Sequence, residues 1–168
     1  MRVDLYVVRH GIAFDQDPSQ WPDDRLRPLT PEGEDRFRGV ARALARITDG
    51  VDVTLASPYV RAWRTAEILA EEAGWPAPVG CQQLEADRPP EQVIDVLRSH
   101  TRRSAIAVVG HEPHLGELIS ILLTGGSDVA VVMKKGGVAL LGFDGTPSAG
   151  AAELRWLLPP KLLRALRR

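Results

Sequence analysis

The feature that most constrains this chain is an alternation between two hydrophobic periods. Short β-branched runs, Val3 to Val8, Val51 to Ala56 and Ser104 to Val109, are separated by stretches whose apolar residues recur at helical spacing. Phe37, Val40, Ala41, Leu44 and Ile47 form one such stripe. Near-continuous apolar strands alternating with amphipathic helices call for an α/β layer architecture. Three further runs, around Pro78 to Cys81, Val138 to Phe143 and Ala152 to Leu157, also read as strands. We therefore expect a three-layer α/β/α fold around a mixed, mostly parallel sheet of about six strands.

Local signals divide the rest. A polar, proline-bearing loop is expected from about Phe14 to Pro28. Thr30 suits a helix N-cap and Pro31 the first helical position, with Asp49-Gly50 ending that helix. Ser57-Pro58 repeats the cap-plus-proline signal and opens a helix running to about Ala73, closed by Gly74. Pro89-Pro90 introduces a helix with Val93, Ile94 and Leu97 on one side. Gly110-His111-Glu112-Pro113 turns the chain into a helix ending near Leu123, before Gly125-Gly126. Pro159-Pro160 precedes a short basic amphipathic tail, Lys161 to Arg168. At 168 residues, the whole of 1–168 is expected to form one domain.

Composition excludes several functional classes. A net charge of −1 argues against a nucleic-acid-coating protein. Cys81 is the only cysteine, which leaves no intrachain disulfide and no zinc site of several thiolates. The apolar run at the N-terminus is short and broken by Asp4, unlike a signal peptide, and no later run is long enough to span a bilayer. The expectation is a cytoplasmic, soluble protein with no membrane partner, monomeric or weakly dimeric. The tail could touch an acidic partner, but a helix packed on the domain with a solvated basic side fits its few apolar residues better.

The chemistry-bearing residues fall at strand ends. Arg9-His10-Gly11 follows the first strand, Ser57-Pro58 and Arg61 the second, and His111 the strand ending at Val109. Open α/β sheets bind ligands outside the carboxyl ends of their strands, so these groups should share one edge. Arg9 beside His10 favours a neutral imidazole, whose lone pair can attack phosphorus. Gly11 allows close backbone approach and conformations closed to other residues. Arg61, in the first turn of its helix, offers a planar fork for phosphate oxygens. His111 could donate to the same anion. Each fragment has an ordinary alternative: a strand-end histidine, a surface arginine, a capping histidine. His114 lies just inside the following helix, His100 at an exposed helix end, and Arg64 reads as solvated or helix-packing. Metal-ligand spacing is lacking, as are glycine-rich nucleotide loops, so no metal and no cofactor are expected.

Together, Arg9-His10-Gly11, Leu29-Thr30-Pro31-Glu32-Gly33, Ser57-Pro58 with Arg61-Ala62 and Thr65-Ala66, and Gly110-His111 resemble the histidine phosphatase superfamily, of phosphoglycerate mutase-like fold. The order of the fragments matches, and they span most of the chain. Arg27-Pro28-Leu29-Thr30, Gly110-His111-Glu112-Pro113, Lys134-Lys135-Gly136-Gly137, and Trp156-Leu157 followed by Pro159-Pro160-Lys161-Leu162-Leu163 look like its SixA-type phosphohistidine phosphatase branch. The chain has no room for a large cap domain.

The resemblance implies that His10 is the nucleophile and becomes phosphorylated. It gives Arg9, Gly11, Arg61 and His111 the binding of the phosphoryl group. It leaves the proton donor open: Glu85 and Asp87 are available in Leu84-Glu85-Ala86-Asp87-Arg88, and a solvated loop is the alternative for both. Three readings follow. The first is hydrolysis of phosphohistidine on a protein; the second is hydrolysis of small phosphorylated metabolites, with Glu85 or Asp87 as acid; the third is a phospho-ligand binding module without turnover. Lys134 and Lys135 could flank the pocket and attract a phosphoprotein.

Overall fold

The computed structural model describes residues 1–100 and 102–166. Its six strands are β1 (Arg2–Arg9), β2 (Val53–Ala56), β3 (Val79–Gly80), β4 (Ala105–Gly110), β5 (Val138–Asp144) and β6 (Ala152–Leu158). Its helices are α1 (Pro31–Ile47), α2 (Val60–Ala73), α3 (Glu91–Ser99), α4 (His114–Thr124) and α5 (Pro160–Ala165). The sheet runs β3-β2-β4-β1-β5-β6. Strands β1 to β4 are parallel to their neighbours among themselves, whereas β5 lies antiparallel to β1 and β6 antiparallel to β5.

Strand alternation sorts side chains to the two sides of the sheet. Val3, Leu5 and Val7 of β1 join Ile106 and Val108 of β4 in a core completed by Leu97 of α3 and Leu115, Leu118 and Ile119 of α4. Tyr6 and Val8 join Ala107 and Val109 in a second core with Phe37 and Leu44 of α1, Ile68 and Leu69 of α2, and Leu163 of α5. The central strands are therefore apolar at nearly every position because both faces are covered. The tail meets the expectation that it packs on the domain up to Leu166: Leu163 is buried, and the Arg46 guanidinium donates to the Leu166 carbonyl. Arg167 and Arg168 lie outside the described residues. Among the described residues, no helix is long and apolar enough to cross a membrane.

Two helix boundaries differ from the sequence reading. Helix α1 is capped as expected, with Thr30 Oγ1 accepting from the Gly33 N–H at 2.9 Å, but it ends at Ile47, because Thr48 turns to an extended backbone (φ −128°, ψ 155°) with its hydroxyl on the Leu44 carbonyl. Ser57-Pro58 does not cap α2. The helix begins at Val60, the cap position is Tyr59, and Ser57 belongs to the pocket described below. Its hydroxyl forms a buried hydrogen bond with His111 instead, and that polar pairing outweighs a local capping preference.

Candidate active site

Strand register decides what meets at the carboxyl edge of the sheet. Arg9 pairs with Gly110 and Ala56 with Val109, so β1, β2 and β4 end level with one another. The chains then stay bonded for one more step. The His10 N–H donates to the Gly110 carbonyl and the Ser57 N–H to the Val109 carbonyl, each at 3.0 Å. His10, Ser57 and His111 are thereby delivered side by side. The His10 and His111 rings lie 5.3 Å apart between centroids, and the Tyr59 ring lies 4.8 Å from His111, tilted by 55°.

The environment fixes the state of each imidazole. His10 Nδ1 lies 2.7 Å from the Gly11 carbonyl, which can only accept, so Nδ1 carries the proton and Nε2 keeps its lone pair. Burial pushes the His10 pKa down to about 3; the Gly11 hydrogen bond opposes this, and the charges of Arg61, Arg9 and Lys135 reinforce it. The sequence argument credited Arg9 with holding His10 neutral; desolvation is the larger cause, and Arg61 contributes ahead of Arg9. Burial likewise carries His111 down to about 2, helped by His10 and Arg61. Both rings are neutral at pH 7. His111 Nε2 is 2.8 Å from Ser57 Oγ, which itself accepts from the Tyr59 N–H. A Ser57 hydroxyl that donates to Nε2 leaves the His111 proton on Nδ1, whereas an Nε2–H that donates to Ser57 leaves Nδ1 a lone pair.

The arginines are anchored at one end and free at the other. Arg61 is 4% exposed, and its Nη1 and Nη2 donate to the Asp24 carbonyl and carboxylate at 2.8 and 2.9 Å. Arg9 Nη1 donates to the Met133 carbonyl at 2.7 Å. Three polar atoms of these residues are buried without a protein partner: Arg9 Nε, Arg61 Nε and His111 Nδ1. Arg9 Nε and Arg61 Nε are donors of the kind a phosphoryl oxygen would satisfy, as is His111 Nδ1 in the tautomer whose Nε2 accepts from Ser57, and unpaired buried donors are costly enough to call for such a partner.

The φ of Gly11 is not positive, so its backbone does not use a conformation closed to other residues. A Cβ there would make ordinary contacts, 3.4 Å from Phe37 Cβ and 3.5 Å from Leu29 Cδ2, and the Gly11 N–H donates to Thr65 Oγ1 at 3.0 Å. Thr65 in turn donates to the Arg61 carbonyl, tying the His10 loop to α2. Glu85 is partly buried and pairs loosely with Arg88 at 3.7 Å. Glu85 and Asp87 stand close enough to Tyr59 for their charges to help raise its pKa, after burial, so this loop flanks the pocket on the Tyr59 side.

The remaining candidates lie elsewhere. His114 is buried at the start of α4, and His100 caps α3 with Nδ1 against the Val96 carbonyl. Arg64 joins Glu34 of α1 to Glu67 and Glu71 of its own helix. Among the described residues, no group of three or more His, Cys, Asp or Glu is placed to hold a metal ion. The sequence reading missed Asp24, Arg27, Ser57 as a pocket residue, and Glu112. Asp24 is held by Arg27 Nε at 2.7 Å as well as by Arg61. Burial raises its pKa, but those bonds and charges hold the carboxyl below its ordinary value. Only the Arg27-Pro28-Leu29-Thr30 resemblance hinted that this loop reaches the site.

Residues 5–87 match the model of the histidine phosphatase superfamily (branch 1). The chain belongs to the histidine phosphatase superfamily. An uncharacterized protein of Picosynechococcus sp. is 31% identical over 177 residues, covering 94% of this chain and 100% of that one. The fold is shared with the protein histidine phosphatase SixA complexed with tungstate, at a TM-score of 0.84 and 24% identity over 96% of this chain and 99% of that chain. A mutant phosphoserine phosphatase from Entamoeba histolytica in complex with phosphoserine superposes with a TM-score of 0.70 and 15% identity, over 95% of this chain and 98% of that one. Among the described residues no large cap domain is evident. The family match supports a phosphatase activity.

Proposed function

We propose that the protein hydrolyses phosphohistidine on a partner protein, with His10 as nucleophile. The observation that carries this reading is a buried, neutral His10, its tautomer set by Gly11, beside three buried polar atoms that lack partners. In the first step the substrate's imidazole takes up a proton from solvent, the His10 Nε2 lone pair forms a bond to phosphorus, and the bond from phosphorus to that imidazole breaks, releasing it neutral. In the second, a water oxygen bonds to phosphorus, the bond to Nε2 breaks, and inorganic phosphate leaves with His10 neutral again. Throughout, the charges of Arg9 and Arg61 and the neutral His111 Nδ1–H offset charge on the phosphoryl oxygens. Positioning and electrostatics dominate such transfers, and losing one clamp residue should cost about 10²–10³ in rate. Gly11 leaves the space for the approach.

Several features favour a protein substrate. The loops around the pocket carry no cap, Lys135 lies near enough to influence His10, and SixA, whose fold this is, is a protein histidine phosphatase in a complex with tungstate, a tetrahedral oxyanion. A leaving imidazole can be protonated before the bond breaks, so the reaction tolerates a weak acid. Glu85, or Asp87, is the acid of the second reading, in which the substrate is a small phosphorylated metabolite. That reading is favoured by the shared fold of a phosphoserine phosphatase and by the position of this loop beside Tyr59. The proposal includes one domain over 1–168, a reaction without a metal cofactor and a cytoplasmic location. The single buried thiol of Cys81 suits a reducing compartment.

The test compares wild type and His10→Ala on a phosphohistidine protein, beside a panel of sugar and nucleoside phosphates, with mass spectrometry to trap phosphorylated His10. Preferred turnover of the protein, abolished by the substitution, is expected. Equal activity in both forms would end the reading, and preference for a small phosphate would select the second.

A further inference from the structure

Glu112 sits between His111 and the start of α4, and its carboxylate spans two chain segments. Oε1 accepts from the Gly116 N–H at 2.6 Å and Oε2 from the Met133 N–H at 3.3 Å. Met133 is the residue whose carbonyl accepts from Arg9 Nη1 at 2.7 Å. One peptide unit after another thus links Glu112 to the guanidinium that faces His10. The 131–133 segment has little freedom there: a Cβ on Gly116 would stand 2.1 Å from the Val131 carbonyl oxygen, and Met133 is buried. Farther on, the Gly136 N–H donates to the Arg9 and His10 carbonyls and the Arg9 N–H to the Gly137 carbonyl.

We propose that Glu112 is a positioning residue for Arg9: by holding the Met133 N–H, across the Cα from the carbonyl that accepts from Arg9, it fixes the guanidinium plane so that the unpaired Nε–H points at the phosphoryl group. The proposal rests on the phosphatase reading of the pocket and extends it to a residue that touches no substrate. The physical case is twofold. A guanidinium is a rigid fork, so pinning one Nη settles the direction of its other donors. A carboxylate one peptide removed also supplies countercharge to a pocket crowded with cations, and the Glu112 charge partly opposes the downward push of burial on the Arg9 pKa. The two arginines are then built alike. Arg61 is held by Asp24 directly, and Arg9 is held by Glu112 through Met133.

In Glu112→Gln the amide keeps one oxygen for Gly116 but turns an NH₂ donor towards the Met133 N–H. Inorganic phosphate is titrated into wild type, Glu112→Gln, Arg9→Ala and the double variant, followed by histidine-ring NMR signals, with thermal melts alongside. Glu112→Gln should weaken phosphate binding about tenfold, the scale of one misplaced buried hydrogen bond. The double variant should bind no more weakly than Arg9→Ala alone. Unchanged affinity in Glu112→Gln, whatever its melting temperature, overturns the proposal, as does an effect that persists in full without Arg9. A wild type that binds no phosphate overturns the phosphatase reading itself, and this proposal with it.

Discussion

His10 and His111 are buried as neutral imidazoles, and this makes acid instability a measurable signature of the pocket. Their pKa values fall from 6.5 to about 3 and about 2 on folding, chiefly through desolvation. A histidine depressed in the folded state binds its proton more readily when unfolded. Stability is therefore intact above pH 6.5 and is lost as pH falls below it. At pH 5 the loss depends on the unfolded value alone, because both rings remain unprotonated in the fold. About 1.5 pH units at ~1.4 kcal/mol per unit gives roughly 2 kcal/mol for each histidine, or roughly 4 kcal/mol together. That is a large share of a typical domain's stability. Urea unfolding at pH 7 and pH 5 is compared for wild type, His10→Asn, His111→Asn and the double variant. Carboxylates contribute equally to all four, so the differences isolate the imidazoles. Each single variant should lose about 2 kcal/mol less than wild type between the two pH values, and the double variant about 4. If all four lose the same stability, the two rings are not held neutral, and the account of a ready His10 lone pair fails with them.

Two further outcomes follow from individual contacts. Ser57→Ala removes the hydroxyl bonded to His111 Nε2, and should lower kcat/KM on the enzyme's phosphorylated substrate about tenfold, the scale of one buried hydrogen bond, while the fold survives in circular dichroism. Gly33→Ala would put a Cβ 2.0 Å from the Ile12 carbonyl oxygen, which already accepts from the Thr30 N–H; thermal denaturation should show a loss of about 2–4 kcal/mol, with no remedy short of backbone movement.

The gain in legibility from sequence was uneven, for reasons that individual residues make plain. Apolar period and turn residues located all six strands and five helices, because burying a strand on two faces or a helix on one leaves a pattern in the chain itself. The exceptions are instructive. Ser57-Pro58 carries a helix-start signal, yet Ser57 is taken by a histidine 54 residues away. Gly11 and Gly33 are recognisable as motif glycines, but only the packing of the His10 loop on α1 shows that Gly33 is required for want of space and not for backbone freedom, whereas a Cβ on Gly11 would meet its neighbours at ordinary contact distance.

The sequence by itself placed His10, Arg61 and His111 at strand ends, and the sheet edge where such ends gather follows from the architecture. Tertiary structure alone decided the rest: the register that levels Arg9 with Gly110, the proton on His10 Nδ1, and the carboxylates of Asp24 and Glu112 behind the two arginines. Periodicity reports which residues leave water, a property each residue carries along the chain. Hydrogen-bond partners and desolvation depend on which distant segments arrive together, and nothing local in the chain encodes that.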